Sequence, residues 1–321
     1  MNSVTTDVAA LGALTVLSGV NKQLDTVQQQ ISSAKRINTA KDDPTYWSMA
    51  TTMRSDASSL STVSDALGLS SGKVDTTYTT MDKAIDLLTQ IRSKLTTAQE
   101  AGVDKTQINS DISDLKKQLA AMAQAASFSG ENWLYNTSTA FEPQKSVISN
   151  FTRGTDGAVS LSTMTYDASQ ALMIDTSDPS RGLFTKGVEA LASNGASTGR
   201  LYYLLNGGGT PPADGTEIAL SSTTTDEQLT DMLDATNTIL KSVTSAASVL
   251  GVLKSRIDNQ TTFVANLQDS INTSIGALVD TDMDEASSRL TALQTAQSMG
   301  TQSLSIANTM ASKVLILLGK G

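Results

Sequence analysis

The groups able to do chemistry in this chain are few, and most are carboxylates. Asp42 and Asp43 stand side by side next to Lys41. Paired carboxylates can divide acid and base work when their surroundings push their proton affinities apart. Asp280, Asp282, Asp284 and Glu285 form a second acidic cluster with the alternation of a calcium loop. The glycine and the distant bidentate Glu of such a loop are missing. The plainer reading of both clusters is structural. Asp43 precedes Pro44, where one helix stops and another begins. The acids after Asp280 suit an N-cap and the first turn of a helix. On that reading neither cluster is catalytic or metal-binding.

Composition narrows the chemistry further. There is no His and no Cys. Imidazole acid–base catalysis, thiol chemistry, disulfides and the usual zinc sites are therefore excluded. No nucleophile elbow or phosphate loop is present. Gly207-Gly208-Gly209 leads into Thr-Pro-Pro and reads as a loop. Glycosylation-type triplets begin at Asn136, Asn150, Asn259 and Asn272, a pattern common by chance. The net charge of -9 opposes binding to a phosphate backbone, so no nucleic-acid partner is expected. The chain is expected to be no enzyme and to need no cofactor. No run of about 18 apolar residues exists, so no membrane insertion is expected. The start lacks the basic n-region of a secretory leader, so no cleaved signal peptide is expected.

The informative pattern is helical. Ala10, Ala13, Leu17, Val20, Leu24, Val27, Ile31 and Ala34 recur at spacings of three and four. That is an a/d seam, and it predicts a helix over 4–35 built to lie along another helix. A second seam runs through Leu60, Val63, Leu67, Ser70, Val74, Thr77, Met81, Ala84, Leu88, Ile91, Leu95 and Ala98. It predicts a helix over 45–99, roughly 80 Å long. Gly68 and Gly72 weaken it by about 1 kcal/mol each. After a turn at Ala101-Gly102-Val103-Asp104, with Asp104 as N-cap, a third helix carries Ile108, Ile112, Leu115, Leu119 and Met122. A fourth opens at Thr225-Asp226-Glu227 and a fifth spans 283–318. Between Phe128 and Tyr203 lie nine of the thirteen aromatics, and four of the five prolines fall in the same middle region. This marks an insert over 136–225 that is mixed or β-rich. Val159-Ser160-Leu161 alternates as a strand, and Gly187 to Leu205 is expected to hold a short helix. The predicted fold is mainly α: an elongated, out-and-back coiled-coil or helical-bundle rod formed by both chain ends, with a small central insert.

The last helix differs from the others. No charged residue occurs from Leu290 to Ser312. Leu293, Met299, Leu304, Ile306, Met310, Val314, Leu315 and Leu317 do not share one face. A helix neutral or apolar all round requires burial all round. Further copies of the chain would supply it, and an interface that repeats without closing gives a helical filament.

The run Ser32-Ser33-Ala34-Lys35-Arg36-Ile37-Asn38-Thr39-Ala40-Lys41-Asp42-Asp43 resembles the N-terminal signature of bacterial flagellins. Asp280-Thr281-Asp282-Met283, Ser305-Ile306-Ala307-Asn308 and the closing Val314-Leu315-Ile316-Leu317-Leu318 resemble their C-terminal signature. The stretches 46–56 and 126–134 look like the alphaproteobacterial type. The resemblance covers roughly 1–135 and 226–321. It implies a structural subunit of the extracellular flagellar filament, exported without a cleaved signal through the flagellar type III apparatus. Its implied partners are copies of itself, other flagellins, the filament cap and hook-junction proteins. The implied division is an inner-tube domain from 1–43 and 280–321, a helical rod domain from 44–135 and 226–279, and an outer insert over 136–225. Leu17, Val20, Leu24, Val27, Ile31, Leu293, Met299, Leu304, Ile306, Met310, Val314 and Leu317 are expected to form the coiled-coil and polymerisation interface. A hook–filament junction protein of the same superfamily is the alternative. One departure stands out: Ala34 occupies a position where many flagellins carry Gly, which stiffens the turn.

Overall fold

The computed structural model describes residues 8–153, 159–191, 197–207 and 215–318. Helices at both chain ends flank a strand-containing insert. The helices are α1 (Val8–Ser33), α2 (Pro44–Thr97), α3 (Lys105–Ala125), α4 (Asp226–Val279) and α5 (Met283–Leu318). The chain divides into two compact units, residues 59–266, and 1–58 together with 267–321.

The larger unit is built on the three-and-four spacing. On α2, Leu60, Val63, Leu67, Val74, Thr77, Met81, Ala84, Leu88, Ile91 and Leu95 are all buried. Ile108, Ile112 and Leu119 of α3 are buried too, as are Leu229, Ala235, Ile239, Val243, Leu250, Ile257 and Val264 of α4. Polar ties link these helices: Lys94 pairs with Asp111 at 2.6 Å, and Lys254 pairs with Asp75. The helix ends are capped as their sequences demand. Asp104 accepts from the amides of Thr106 and Gln107 at 2.9 and 3.3 Å. Thr225 and Gln228 form a reciprocal capping box at 3.1 and 3.3 Å. Asn132 donates to the carbonyls of Ala123 and Gln124, closing the end of α3.

Among the described residues, the stretch from 127 to 217 holds nine strands in four small sheets. β1 (Ser127–Phe128) and β2 (Glu131–Asn132) form a hairpin whose turn residues Ser129 and Gly130 both have positive φ, at 53° and 81°. That is the turn whose twist matches paired strands. β3 (Tyr135–Asn136) runs parallel to β6 (Ile174–Asp175). β4 (Gln144–Arg153) and β5 (Val159–Asp167) form the long antiparallel ribbon, with Val159-Ser160-Leu161 extended as expected. β7 (Val188–Leu191), β8 (Ser197–Tyr203) and β9 (Gly215–Glu217) make a mixed sheet with β8 in the middle. Phe184, Leu134, Leu172, Met173 and Leu204 fill the interior.

Among the described residues no helix stands between Gly187 and Leu205, against expectation; strands β7 and β8 stand there. Gly199 at φ 69° cannot continue a right-handed helix. β8 also finds partners on both edges, one of them β9 from beyond the next loop.

Buried charges in this unit are tied, not free. Asp175 accepts from the amides of Ser177 and Asp178 and pairs with Arg181 at 2.9 Å. Lys116 on α3 reaches across to Glu217 at 2.8 Å and to the carbonyl of Ile218. Burial pushes the Lys116 ammonium below the usual lysine range, and the Glu217 carboxylate acts in the opposite direction. Asn109 accepts from the Leu220 amide at 2.8 Å, a second fastening of the same segment to α3.

Candidate assembly surface

The terminal unit pairs the first and last helices. α1 and α5 lie close along their length, with facing Cα atoms within 8 Å. Small residues permit this. A Cβ added at Gly300 would sit 3.1 Å from Leu17 Cδ1. Leu24 and Val27 of α1 are buried, as are Ala286 and Ala307 of α5. Leu17, Val20 and Ile31, with Leu293 and Leu304, are half-buried. Gln297 donates to the Asn21 side chain at 2.7 Å across the pair.

A short joint sits at one end of this pair. Lys35 and Asp280 form an antiparallel bridge. The amides of Arg36 and Ile37 donate to the Val279 carbonyl at 2.7 and 3.2 Å, and the Thr281 amide donates to the Ala34 carbonyl at 3.1 Å. The Arg36 guanidinium donates to the Leu278 carbonyl at 3.0 Å. Ile37, Ala50 and Val279 close over one another with Leu278 at their edge. Ala34, the residue that ends α1, has φ 55°. This left-handed cap is where helices favour glycine.

The carboxylates take structural jobs in this joint. Asp42 accepts from the amides of Asn38 and Thr39 at 3.0 and 2.8 Å and from the Thr39 hydroxyl. The Thr39 amide foremost, and then the Asn38 amide, hold its carboxyl below the usual range. Asp43 caps α2 through the amides of Thr45 and Tyr46. Asp282 caps α5 through the amides of Asp284 and Glu285. Among the described residues, no three His, Cys, Asp or Glu side chains cluster so as to hold a metal. No described helix is long and apolar enough to cross a membrane.

The exposed faces are mostly polar, but large apolar residues stand among them. On α1, Val8, Leu11, Leu14 and Val16 stand in solvent, Val8 at 77% of its free exposure. On α5, Met299, Ile306 and Met310 are exposed at 58%, 58% and 65%. The residues expected at an interface thus fall into two sets. Leu17, Val20, Leu24, Val27, Ile31, Leu293 and Leu304 line the intramolecular seam. Met299, Ile306 and Met310 point away from it. Val314 and Leu317 lie outside the described side chains. The sequence reading missed Ile37 and Val279, whose only signal was an apolar residue on each side of a polar break. It also left Val8, Leu11, Leu14 and Val16 unnamed, although they are the apolar residues of α1 that fall off the seam. Exposed large apolar residues on a charge-poor helix pair make these faces candidates for a protein–protein surface.

Residues 4–139 match the family described as bacterial flagellin N-terminal helical region, and residues 233–318 match the bacterial flagellin C-terminal helical region. The chain is 50% identical to Flagellin C of Rhizobium meliloti (strain 1021) over 319 residues, 99% of each chain. It is 37% identical to Flagellin D of Rhizobium meliloti, covering 99% of both. It is 34% identical to a Flagellin of Brucella melitensis biotype 1, again over 99% of each.

Proposed function

The chain belongs to the bacterial flagellin family, and from that premise we propose that its copies polymerise into an extracellular flagellar filament serving swimming motility. In this reading the segments 1–43 and 280–321 form the inner tube, 44–135 and 226–279 the helical rod around it, and 136–225 the outward insert. The seam of Leu17, Val20, Leu24, Val27, Ile31, Leu293 and Leu304 holds one subunit together. Met299, Ile306, Met310, Val314 and Leu317, with Val8, Leu11, Leu14 and Val16, receive neighbouring subunits. The flagellar type III export apparatus, the filament cap and the hook-junction proteins are its further partners, and other flagellins can join the same polymer.

One observation carries this reading. The α1–α5 pair satisfies its own seam yet leaves apolar residues of both helices in solvent. A second copy is the partner with matching surfaces, because the faces are uncharged and recur on every subunit. Deleting the last twenty residues removes much of α5, including Ile306 and Met310. The expected product is soluble and forms no filaments by sedimentation and electron microscopy. Filaments from that truncation would overturn the proposal. A hook–filament junction protein would occur in only a few copies, so abundance of the intact chain in sheared filaments separates the two.

A further inference from the structure

Met299, Ile306 and Met310 are spaced by seven and four, which places them on one stripe of α5. The stripe lies apart from the face that meets α1, since Leu293, Gly300, Leu304 and Ala307 occupy that one. Two of its three residues are thioethers, exposed at 58% and 65%. No charged residue lies between Leu290 and Ser312 to repel or attract a neighbour. By contrast Met81, Met173 and Met232 are buried in the other unit. The chain thus carries oxidisable sulfur on a face that assembly must cover.

We propose that Met299 and Met310 are modification sites: oxidation of their thioethers to sulfoxides blocks addition of the subunit to the filament, and methionine sulfoxide reduction restores it. This rests on the filament reading above. The oxidant is hydrogen peroxide. The sulfur lone pair attacks one peroxide oxygen, the O–O bond breaks, an S–O bond forms and water leaves. Sulfur loses two electrons and the peroxide gains them. The product replaces a flexible apolar group with a polar, chiral one. A sulfoxide dipole buried without a donor disfavours association by about tenfold or more. In the free subunit the same group stays in water, so folding is little affected. The sensitivity therefore belongs to the interval before assembly, and a finished filament shields its own sulfurs.

The test uses the full chain and hydrogen peroxide. Subunits are oxidised, each methionine is quantified by mass spectrometry, and polymerisation is followed by sedimentation. Met299 and Met310 are expected to oxidise well before Met81 and Met173. The oxidised protein is expected to need at least about tenfold more subunit to form filaments, with helical circular dichroism unchanged. Treatment with the two methionine sulfoxide reductases and a dithiol, which is oxidised to its disulfide as the sulfoxide oxygen leaves as water, should restore assembly. The double variant Met299→Leu with Met310→Leu keeps the apolar stripe and should polymerise normally before and after peroxide. It retains exposed Met49 and Met283, so it isolates the two positions. Normal assembly of wild type carrying both sulfoxides overturns the proposal. Equal peroxide sensitivity in the double variant also overturns it. Untreated wild type that forms no filament overturns the filament reading itself, a result distinct from loss on oxidation alone.

Discussion

Gly68 and Gly72 sit one turn apart on α2 and look equivalent in the sequence. Their surroundings differ. No atom comes within 4 Å of a Cβ added at Gly68, whereas one added at Gly72 would lie 2.5 Å from Phe128 Cζ. Gly68 only weakens the helix, so Gly68→Ala is expected to stabilise by about 0.5–1 kcal/mol. Gly72 admits the ring of β1 against the helix. Gly72→Ala should cost about 1–3 kcal/mol by overpacking. Urea unfolding followed by circular dichroism measures both, and equal effects would remove the role given to Phe128. Ala34 presents the opposite case, a side chain where the backbone favours none. Left-handed backbone costs an L-residue about 1–2 kcal/mol. Glycine there gives back part of that gain through its greater freedom in the unfolded chain. Ala34→Gly is expected to stabilise by up to about 1 kcal/mol, and β-branched Ala34→Val to lose more than about 1 kcal/mol, in thermal unfolding. The residue that ends α1 is thus stiffer than glycine would make it.

At the scale of elements, the insert is fastened to the bundle through α3. Lys116 holds Glu217 and the Ile218 carbonyl, and Asn109 holds the Leu220 amide. Lys116→Met is expected to cost about 1–3 kcal/mol at neutral pH, because the Ile218 carbonyl loses its donor. The sign of the pH effect follows from the lowered lysine affinity for protons. Between that lowered value and the ordinary 10.5 the unfolded chain binds more protons, so wild-type stability rises with pH there. The gap to Lys116→Met should therefore widen as pH climbs toward 10.5, by paired urea titrations. These fastenings were not legible in the sequence, because they join residues about a hundred positions apart. The helices were legible, because their signal is local and repeats. The twelve-position seam from Leu60 to Ala98 is buried at every position except Ser70, which is half-buried. Asp104, Asp282 and the Thr225 turn announced their caps by residue type. The strands from Val188 to Tyr203 misled, because a Val-Glu-Ala-Leu-Ala run favours helix on its own. Partners on both edges of β8 override that preference. The assembly surface was half legible: the charge-free stretch of α5 was plain, while its division between seam and exposed stripe needed the position of α1.

For the whole molecule, charge and apolar surface are segregated. The chain carries a net charge of -9, yet the stretch from Leu290 to Ser312 has none. Copies approaching one another repel at long range, but the faces proposed to mate contain few charges to form ion pairs. Polymerisation is therefore expected to speed up as sodium chloride rises toward about 0.15 M, where screening is effective, and not to reverse above it. Light scattering across a salt series measures this. A steep fall in assembly at high salt would mean that ion pairs, not the apolar stripes, hold the polymer.

The joint at Ala34 and Asp280 also sets a clock. Arg36 and Leu278 are 242 positions apart, and Gln297 and Asn21 are 276 apart. The unit over 59–266 is continuous and can close as soon as its own residues are present. The terminal unit cannot close until residues 267 onward arrive. Prior folding of the middle shortens the loop that must be closed, so the late step is cheap in entropy once it is possible. A subunit that is still being delivered, or that was cut short, has no paired ends to offer. Pairing of α1 with α5 is thereby tied to the arrival of the C-terminal segment.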